Sequence, residues 1–333
     1  MASKNALIKI LSATIFFLVL TNIGVIFWAA QHTESRQETN QSSNFYKWLN
    51  PELKFAEPPV LDKAAYENFR KNLEQTIEQM KAGGRIDNAA VFFRDLDKGP
   101  TFSINPNEGF IPASLLKVPL AMTYFRLAEE NVIPLDRKLV ANNFTLNLTQ
   151  RFPPPETIKK GEEYGIEDLL YRLLAYSDNG AWEVLCDYLS QISPDRDLLL
   201  ETFKDLGIID AALGSINEEA LSAKSYASMF RLLYNASYLS KEFSDKMLND
   251  LSKTTFNDGL RKGVPDNIPI AHKFGERFIG NNNELHDCGI VYYPKNPYLL
   301  CIMTQGENLA ALSETIATIS KAVYEEVDSR RFR

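Results

Sequence analysis

Apolar residues divide the chain into two strand-like zones separated by a long helical one. Alternating or continuous apolar runs, typical of strands, cover Ala89–Leu96, Thr101–Asn105, Ile268–Phe274, Leu285–Tyr293 and Tyr298–Thr304. From Ser114 to about Lys253 the apolar residues instead recur every three or four positions, and strand signals stop. The same helical spacing predicts amphipathic helices over Lys63–Lys81 and Leu309–Val327.

Strands at both ends of the pattern imply one sheet assembled from distant sequence. Short turn-rich links such as "DKGP" and "YPKNPY" join neighbouring strands as hairpins, so the sheet is predicted to be antiparallel. The predicted class is a mixed α/β (α+β) fold, in which helices flank the sheet and an all-helical lobe is inserted. The sheet lobe is assigned to residues 61–113 and 255–333, and the helical lobe to residues 114–254.

Residues 1–31 are predicted to form a membrane anchor or a signal segment. Ile10–Ala30 contains no charged residue and is long enough to cross a bilayer as a helix. Lys4 and Lys9 precede it, which favours an orientation that leaves the rest of the chain outside the cytoplasm. A cleaved signal peptide, giving a secreted protein, is the alternative, although the stretch exceeds the usual apolar core and no A-x-A site follows.

Residues 32–60 are polar and then proline-punctuated, and are predicted to form a linker. Its aromatic residues Tyr46, Trp48 and Phe55 suit either the membrane interface or docking onto the folded domain, but an unstructured spacer is the favoured interpretation.

Charge and cysteine content exclude several classes of partner. The net charge of −7 comes from interspersed acidic and basic residues, which leaves no continuous basic surface for nucleic acid. Cys186, Cys288 and Cys301 are too few and too scattered for a disulfide framework or a C-x-x-C zinc site, and no cofactor is predicted. Cys288 and Cys301 flank the last hairpin and are expected to lie near each other, as buried free thiols.

The first chemical signal is "PASLLKVP", where Ser114 and Lys117 are three residues apart at the head of a helical run. Residues at this spacing share one helix face, so the hydroxyl and the amine are neighbours. A helix start with an exposed lysine explains the pair equally well when it is taken alone. The preceding Pro112 places the pair among the unsatisfied N–H groups of a helix N-terminus, which could stabilise an oxyanion.

Two further signals follow in the chain. Ser177-Asp178-Asn179-Gly180 interrupts two helical patterns and by itself is most simply a capped helix-helix turn. In "AHKFGE", Lys273 and Gly275 end a predicted strand, where a glycine permits close approach by a ligand and an exposed lysine is the plain alternative.

The order S-x-x-K, S-D-N, K-x-G is the motif set of class A β-lactamases and penicillin-binding proteins. From about residue 62 to the end the chain resembles this family of penicillin-recognising serine hydrolases, and most of all its class A branch. The resemblance implies the antiparallel sheet and helical lobe already predicted, with the site between them.

By this resemblance Ser114 is the nucleophile that takes the acyl group, and Lys117 is the base. A lysine with the ordinary pKa of about 10.4 is protonated at neutral pH and cannot accept a proton. The surroundings of Lys117 must therefore lower its pKa, through burial and through the charge of Lys273. Lys273 is further implied to attract the carboxylate of the substrate.

The remaining implied roles concern the leaving group and the substrate. Ser177 relays a proton to the leaving nitrogen, and Asn179 holds the amide of the substrate. Gly275 lies on the substrate side of the strand, and the backbone N–H groups of Ser114 and Glu276 form the oxyanion hole.

The chain departs from the family pattern at two points. Phe274 stands where threonine or serine is usual, and a benzyl group cannot donate a hydrogen bond to a substrate carboxylate. The E-x-x-L-N segment that activates the deacylating water is absent. Glu218 and Glu219 lie near its expected place, but first-turn charge partners of the next helix are the plainer interpretation.

Histidine chemistry is the weaker alternative. His272 and His286 permit an imagined Ser-His-Asp arrangement, but no G-x-S-x-G elbow accompanies them, and structural histidines are expected. A metal site formed by His286 and Cys288 lacks further ligands.

The predicted function is a membrane-anchored, extracytoplasmic serine hydrolase that forms an acyl-enzyme at Ser114 with β-lactams or related amides. A D-Ala-D-Ala-type peptidase or esterase with slow deacylation is the alternative enzyme, acting on a peptidoglycan-type peptide. A non-catalytic anchored binding module is the alternative from another class.

Overall fold

The computed structural model describes residues 46–51, 66–97, 99–142, 144–145, 150–208, 221–278, 280 and 282–330. The strands are β1 Asn88–Asp95, β2 Thr101–Ile104, β3 Lys138–Val140, β4 Glu163–Gly165, β5 Ile270–Arg277, β6 Asn283–Val291 and β7 Tyr298–Gly306. The α-helices are α1 Glu67–Ala82, α2 Lys117–Glu129, α3 Ile166–Tyr171, α4 Asn179–Ile192, α5 Leu198–Asp205, α6 Ala223–Tyr234, α7 Lys241–Leu251 and α8 Leu309–Ser329. Two 3₁₀ helices, Ala113–Leu116 and Leu260–Gly263, and one π-helical turn, Arg172–Tyr176, complete the described elements.

Five strands form one antiparallel sheet in the order β2-β1-β7-β6-β5. The predicted antiparallel sheet built from both ends of the pattern is thereby confirmed, and every strand end lies within three residues of its predicted position. Strand β5 lies at an edge, so one of its sides is free of strand neighbours in the described sheet.

The sheet has two unlike faces because side chains alternate along each strand. The outer face carries the main apolar cluster, which joins Ile270 and Phe274 of β5 to Leu312 and Ile316 of α8. The inner face packs against the helices that lie between β2 and β5 in the chain, including α6. Consecutive residues of β5 therefore face different surroundings, and this decides which of them reach the site.

The region between the 3₁₀ helix Ala113–Leu116 and α7 is helical as predicted, apart from one ribbon. Strands β3 and β4 pair antiparallel there, which corrects the expectation that strand signals stop after Ser114. Each is only three residues long, too short for an alternating pattern to stand out from its neighbours.

Part of the predicted spacer is packed rather than unstructured. Trp48 is buried, its N–H donates to Asp245 Oδ1 (2.8 Å), and its carbonyl accepts from the Tyr292 hydroxyl (2.9 Å). Contacts place Trp48–Asn50 in the same compact unit as the folded domain. Trp48 therefore docks on the folded domain, which was the less favoured of its expected roles.

Within the described ranges, no helix combines the length and the apolar character that crossing a bilayer requires. The anchor predicted over Ile10–Ala30 lies outside those ranges and stays a prediction.

Candidate active site

Ser114 lies in the 3₁₀ helix that connects the sheet to α2. The residue before it, Ala113, has φ 48°, in the left-handed region that residues other than glycine seldom adopt. Such strained positions persist where the surrounding structure fixes them, often at functional sites. The serine is partly exposed, so its hydroxyl can be reached from solvent.

Two buried side chains of β6 fix the segment before Ser114. Glu284 Oε2 accepts the N–H of Ile111 (3.1 Å), and His286 Nε2 donates to the carbonyl of Ile111 (3.0 Å). Thr304 N–H points at His286 Nδ1 (3.4 Å), which matches a neutral imidazole with its proton on Nε2. His286 is thus a structural histidine, as expected, and together with Glu284 it forms a clamp on Ile111.

Lys117 begins α2, and its side chain is buried. Its Nζ donates to the carbonyl of Ser177 (2.6 Å), to Ser177 Oγ (3.1 Å) and to Asn179 Oδ1 (2.7 Å). These three hydrogen bonds use all the donors of an ammonium group, and none of the three is made to Ser114. Burial lowers the pKa of Lys117 to about 7, although the charges of Asp178 and Glu276 oppose this shift.

In the S-D-N segment, Ser177 and Asn179 contact Lys117, whereas Asp178 caps a helix. Ser177 ends the π-helical turn with φ 57°, which aims its hydroxyl and its carbonyl at Lys117. Asp178 caps α4: its Oδ1 accepts from the N–H groups of Gly180 (2.7 Å) and Ala181 (3.2 Å), and its Oδ2 accepts from Ile158 (2.9 Å). The helix-capping interpretation therefore holds for the aspartate, while Ser177 and Asn179 face Lys117.

Lys273, on β5, is fully buried beside the same serine. Its Nζ donates to Ser177 Oγ (2.9 Å) and to the carbonyl of Phe274 (2.8 Å). Burial lowers the pKa of Lys273 well below its ordinary value, and the charge of Lys117 lowers it further. Burial is the leading cause for both lysines, whereas the expected like-charge effect falls on Lys273 rather than on Lys117.

Ser177 Oγ therefore joins the two lysines in one hydrogen-bonded row. A hydroxyl has one proton to donate and two acceptor positions, so it can accept from both amines and still donate elsewhere. Two ammonium ions held this close in a buried site repel, which favours a neutral amine at one of them. The row Lys117–Ser177–Lys273 can accept a proton and pass it on without moving its heavy atoms far.

Gly275 brings β5 against the turn that carries Ser114. A Cβ at this position would lie 2.8 Å from the carbonyl oxygen of Pro112 and 3.0 Å from Leu115 Cγ. The close approach that the glycine permits is therefore made by the turn that carries Ser114. This places the backbone of Ser114 beside that of β5.

Glu276 directs its side chain to a segment that sequence reasoning missed. Its carboxylate accepts from the N–H groups of Arg151 (3.2 Å) and Phe152 (3.4 Å), while Gln150 Nε2 donates to the carbonyl of Ser177 (3.3 Å). Residues 150–152 thus connect the S-D-N turn with β5. Burial raises the pKa of Glu276, and the charges of Lys273 and Lys117 oppose that shift.

Phe274 is buried in aromatic contacts. Its ring stacks on Phe256 with a centroid distance of 4.4 Å, and Phe152 meets Phe256 edge-on at 4.7 Å. A cavity of about 240 Å³ adjoins this group. Its lining residues are Arg151, Phe152, Pro153, Thr255, Phe256, Asn257, Asp258 and Phe274. A hydroxyl donor is absent from position 274, as the sequence indicated.

The remaining candidates from the sequence have different outcomes. Glu218 and Glu219 fall outside the described residues, so a deacylating role for either stays a prediction. His272 Nδ1 lies 2.8 Å from Asp287 Oδ1 on the outer face of the sheet, away from the lysine row, which makes it the expected structural histidine.

The expectation of free thiols at Cys288 and Cys301 is wrong. The two cysteines are cross-strand neighbours, as predicted, but they form a disulfide. The hairpin in the sequence predicted that the two cysteines are neighbours. Nothing in the sequence indicated whether they are oxidised to a disulfide. Cys288 is thereby excluded as a metal ligand, and the described residues contain no cluster of three or more metal-ligating side chains.

Sequence reasoning also missed Glu284. The residue is the second of β6 and lies one position before the predicted strand, and a charged side chain just ahead of that apolar run was the available signal. Residues 150–152 gave no comparable signal, because their role depends on contacts with residues more than 20 positions away.

Comparisons with known proteins place this geometry among related folds. Residues 70–327 match the model of a family described as the β-lactamase enzyme family. The extended-spectrum β-lactamase PER-1 of Pseudomonas aeruginosa is 23% identical over 271 residues, covering 76% of this chain and 86% of that protein.

Solved structures agree at the level of the fold. A β-lactamase from Sphaerobacter thermophilus superposes with a TM-score of 0.65 at 21% identity, covering 78% of this chain and 98% of that one. A mutant of PBP-A, described as an acyl-enzyme complex with penicillin G, gives a TM-score of 0.64 at 22% identity, covering 78% and 97%.

Proposed function

Because the chain belongs to the β-lactamase enzyme family, we propose that it is a serine hydrolase that forms an acyl-enzyme at Ser114. The substrates are β-lactams or related amides, including D-Ala-D-Ala-type peptides. The observation that carries this proposal is the row Lys117–Ser177–Lys273, which lies in the same site as Ser114 and contains a lysine whose pKa is lowered to about 7. Nothing in the fold alone requires two buried lysines on one hydroxyl.

Acylation begins with proton transfer from Ser114 Oγ to Lys117. In its amine form Lys117 keeps two donors and gains a lone pair, so it gives up one of its three hydrogen bonds and turns the lone pair toward Ser114. Oγ then attacks the carbonyl carbon and forms the new O–C bond. The backbone N–H groups of Ser114 and Glu276 stabilise the oxyanion.

Collapse of this intermediate breaks the C–N bond. The proton on Lys117 passes to Ser177 Oγ, whose own proton moves to the leaving nitrogen, so the amine departs neutral and Ser114 stays acylated. Asn179 holds the amide group of the substrate, and Lys273 keeps Ser177 in place through its 2.9 Å hydrogen bond. Each proton transfer runs along contacts of the row.

Release of the acyl group requires water, which returns a proton to Ser114 Oγ and leaves a carboxylic acid. The E-x-x-L-N segment that activates this water in class A enzymes is absent from the sequence. Slow deacylation is therefore the second candidate, in which the protein is a D-Ala-D-Ala-type peptidase or esterase that β-lactams inhibit.

The protein is proposed to work outside the cytoplasm, tethered by Ile10–Ala30. The disulfide between Cys288 and Cys301 supports this location, since disulfides persist in oxidising compartments. Cleavage after the apolar stretch would instead give a secreted enzyme with the same catalytic domain.

The test is intact-mass measurement over time after mixing the protein with a fluorescent penicillin. We expect an adduct of the mass of the whole penicillin, which Ser114→Ala abolishes. An adduct that persists supports slow deacylation, whereas rapid disappearance with release of hydrolysed product supports a β-lactamase. Failure of every acyl donor, β-lactam or ester, to modify the folded protein would contradict the proposal and favour a binding module.

A further inference from the structure

Three features of β5 alter the part of the site where a substrate carboxylate is expected by resemblance. The first is Phe274, which stands at the position of the usual hydroxyl. Its ring is buried against Phe256, and its carbonyl already accepts from Lys273. The side chain of this residue offers an incoming carboxylate no hydrogen-bond donor.

The second feature is the enclosure of Lys273. The residue is fully buried, and its Nζ donates to Ser177 Oγ and to the Phe274 carbonyl. The same Nζ lies 4.3 Å from the centroid of the Phe274 ring. Two of the three donors of this ammonium group are therefore used inside the protein. A substrate carboxylate that paired directly with Lys273 would compete with the hydrogen bond that holds Ser177.

The third feature is the carboxylate of Glu276, two residues after Phe274 along the strand. Its carboxylate is bound to the segment 150–152, whose Gln150 donates to the carbonyl of Ser177, and this places Glu276 close to the lysine row. The backbone N–H groups of Arg151 and Phe152 hydrogen-bond it but carry no net charge. Glu276 therefore adds a negative charge where an anionic substrate would need a positive one.

Resting on the proposed acylation of Ser114, we propose that this site selects acyl donors that carry no carboxylate beside the scissile bond. Neutral amides and esters are the preferred class, and the free acids of penicillin-type substrates are disfavoured. Phe274 provides no side-chain hydrogen-bond donor, and Lys273 directs two of its donors to groups inside the protein. Glu276 repels the carboxylate of the substrate.

Arg151 is an exposed cation beside Phe274 that could oppose this selection. It lines the cavity beside Phe274 together with Asp258, so a positive and a negative side chain share that opening. The pair gives no net positive charge to the cavity. A substrate carboxylate bound by Arg151 would be the contrary arrangement, and the experiment includes it.

The experiment compares benzylpenicillin with its neutral methyl ester on the full chain. Second-order rates of adduct formation are measured by intact mass, and each is divided by the rate at which the same compound reacts with hydroxide, which corrects for intrinsic reactivity. A single unfavourable charge a few ångströms away near a protein surface changes such a rate about tenfold. We expect the ester to react at least about tenfold faster than the free acid.

Two variants locate the cause. Glu276→Gln keeps the backbone N–H and an acceptor for Arg151 and Phe152, and should raise the ratio of the free-acid rate to the ester rate about tenfold. Phe274→Thr restores a hydroxyl and should also favour the free acid selectively. Glu242→Gln, at an exposed position in the first turn of α7, changes net charge equally and should leave the ratio unaltered.

The outcomes separate this inference from the proposed function. A faster free acid in the unmodified protein, lost on Arg151→Gln, would overturn the inference while leaving acylation intact. An unchanged ratio in Glu276→Gln would do the same. Absence of any adduct with either compound would overturn the proposed function and this inference together.

Discussion

His272 and Lys273 are consecutive residues of β5, both buried, yet they serve opposite faces of the sheet. On the outer face, His272 pairs with Asp287, whose second oxygen accepts the N–H of Leu260 (2.8 Å). A Cβ on Gly259 would lie 2.3 Å from that same oxygen, so the carboxylate has no room to move. On the inner face, Lys273 shares Ser177 Oγ with a second lysine.

The two faces differ in whether a neighbouring group can accept a proton. The His272–Asp287 pair meets fixed partners, which suits a structural role in holding β5 and β6 beneath the 3₁₀ helix Leu260–Gly263. The inner row contains two amines with lowered pKa values on one hydroxyl, so protonation states close in energy are available. The reactivity proposed for these buried polar groups therefore depends on one hydroxyl being shared by two amines.

The largest expected effect is on acylation when Lys117 is changed to Met. Removing a general base slows proton transfer by about a hundredfold to ten-thousandfold, and Met fills a similar volume without charge. Adduct formation with penicillin, followed by intact mass, measures the loss. His272→Asn is the outer-face control, and it should leave the acylation rate per folded molecule within about threefold. An equal loss in both variants would erase the contrast between the faces.

The pH dependence of acylation is expected to follow Lys117. Because its folded pKa is lowered to about 7, the amine is available above this pH and is lost below it. Charges that face the group are those of Lys273, Asp178 and Glu276. The rate should therefore fall about tenfold per pH unit below pH 7 and level off above it. Stopped-flow measurement from pH 5 to 9 tests this, and a profile that still rises beyond pH 9 would contradict it.

Asp287→Asn tests the outer face through stability. The substitution conserves volume but replaces a buried charge-assisted hydrogen bond, which costs about 2–3 kcal/mol in the free energy of unfolding. Urea unfolding measures the change. Asp266→Asn, at an exposed position, should stay within about 0.5 kcal/mol. Acylation of the remaining folded Asp287→Asn protein should be normal, and a specific loss of acylation would assign this pair to the chemistry.

Glu284→Gln is expected to have the smallest effect. It tests whether a polar group with fixed partners also contributes to acylation at the inner face. The neutral acceptor weakens the bond to Ile111 N–H by about 1 kcal/mol, so acylation should fall about fivefold. The effect should appear in the acylation rate with an unaltered pH midpoint, because Glu284 positions the nucleophile turn. A displaced midpoint would instead connect Glu284 to the proton path.

Local patterns in the sequence predicted most of this arrangement. Alternation placed Lys273 on a strand, helical spacing placed Lys117 one turn from Ser114, and the polar break placed Ser177 between helices. The antiparallel sheet followed from hairpin links. These features depend on neighbours within a few residues, which is what a periodic pattern records.

Long-range contacts set the rest. Glu276 was expected to act through its backbone alone, but its side chain reaches residues 151 and 152 from more than 120 positions away. The clamp of Glu284 and His286 on Ile111 spans about as many positions as one half of the chain. The left-handed conformation of Ala113 has no residue-type signal, since alanine seldom adopts it without such support.

Titration of the Lys117 side chain by ¹⁵N NMR tests the central claim most directly, because it reports the shared proton rather than its consequences. Labelled protein is compared with Lys117→Met, which identifies the Nζ resonance. The account predicts a titration midpoint near pH 7, displaced when Ser177→Ala interrupts the row. A Lys117 amine that stays protonated above pH 9 in the unmodified protein would contradict it.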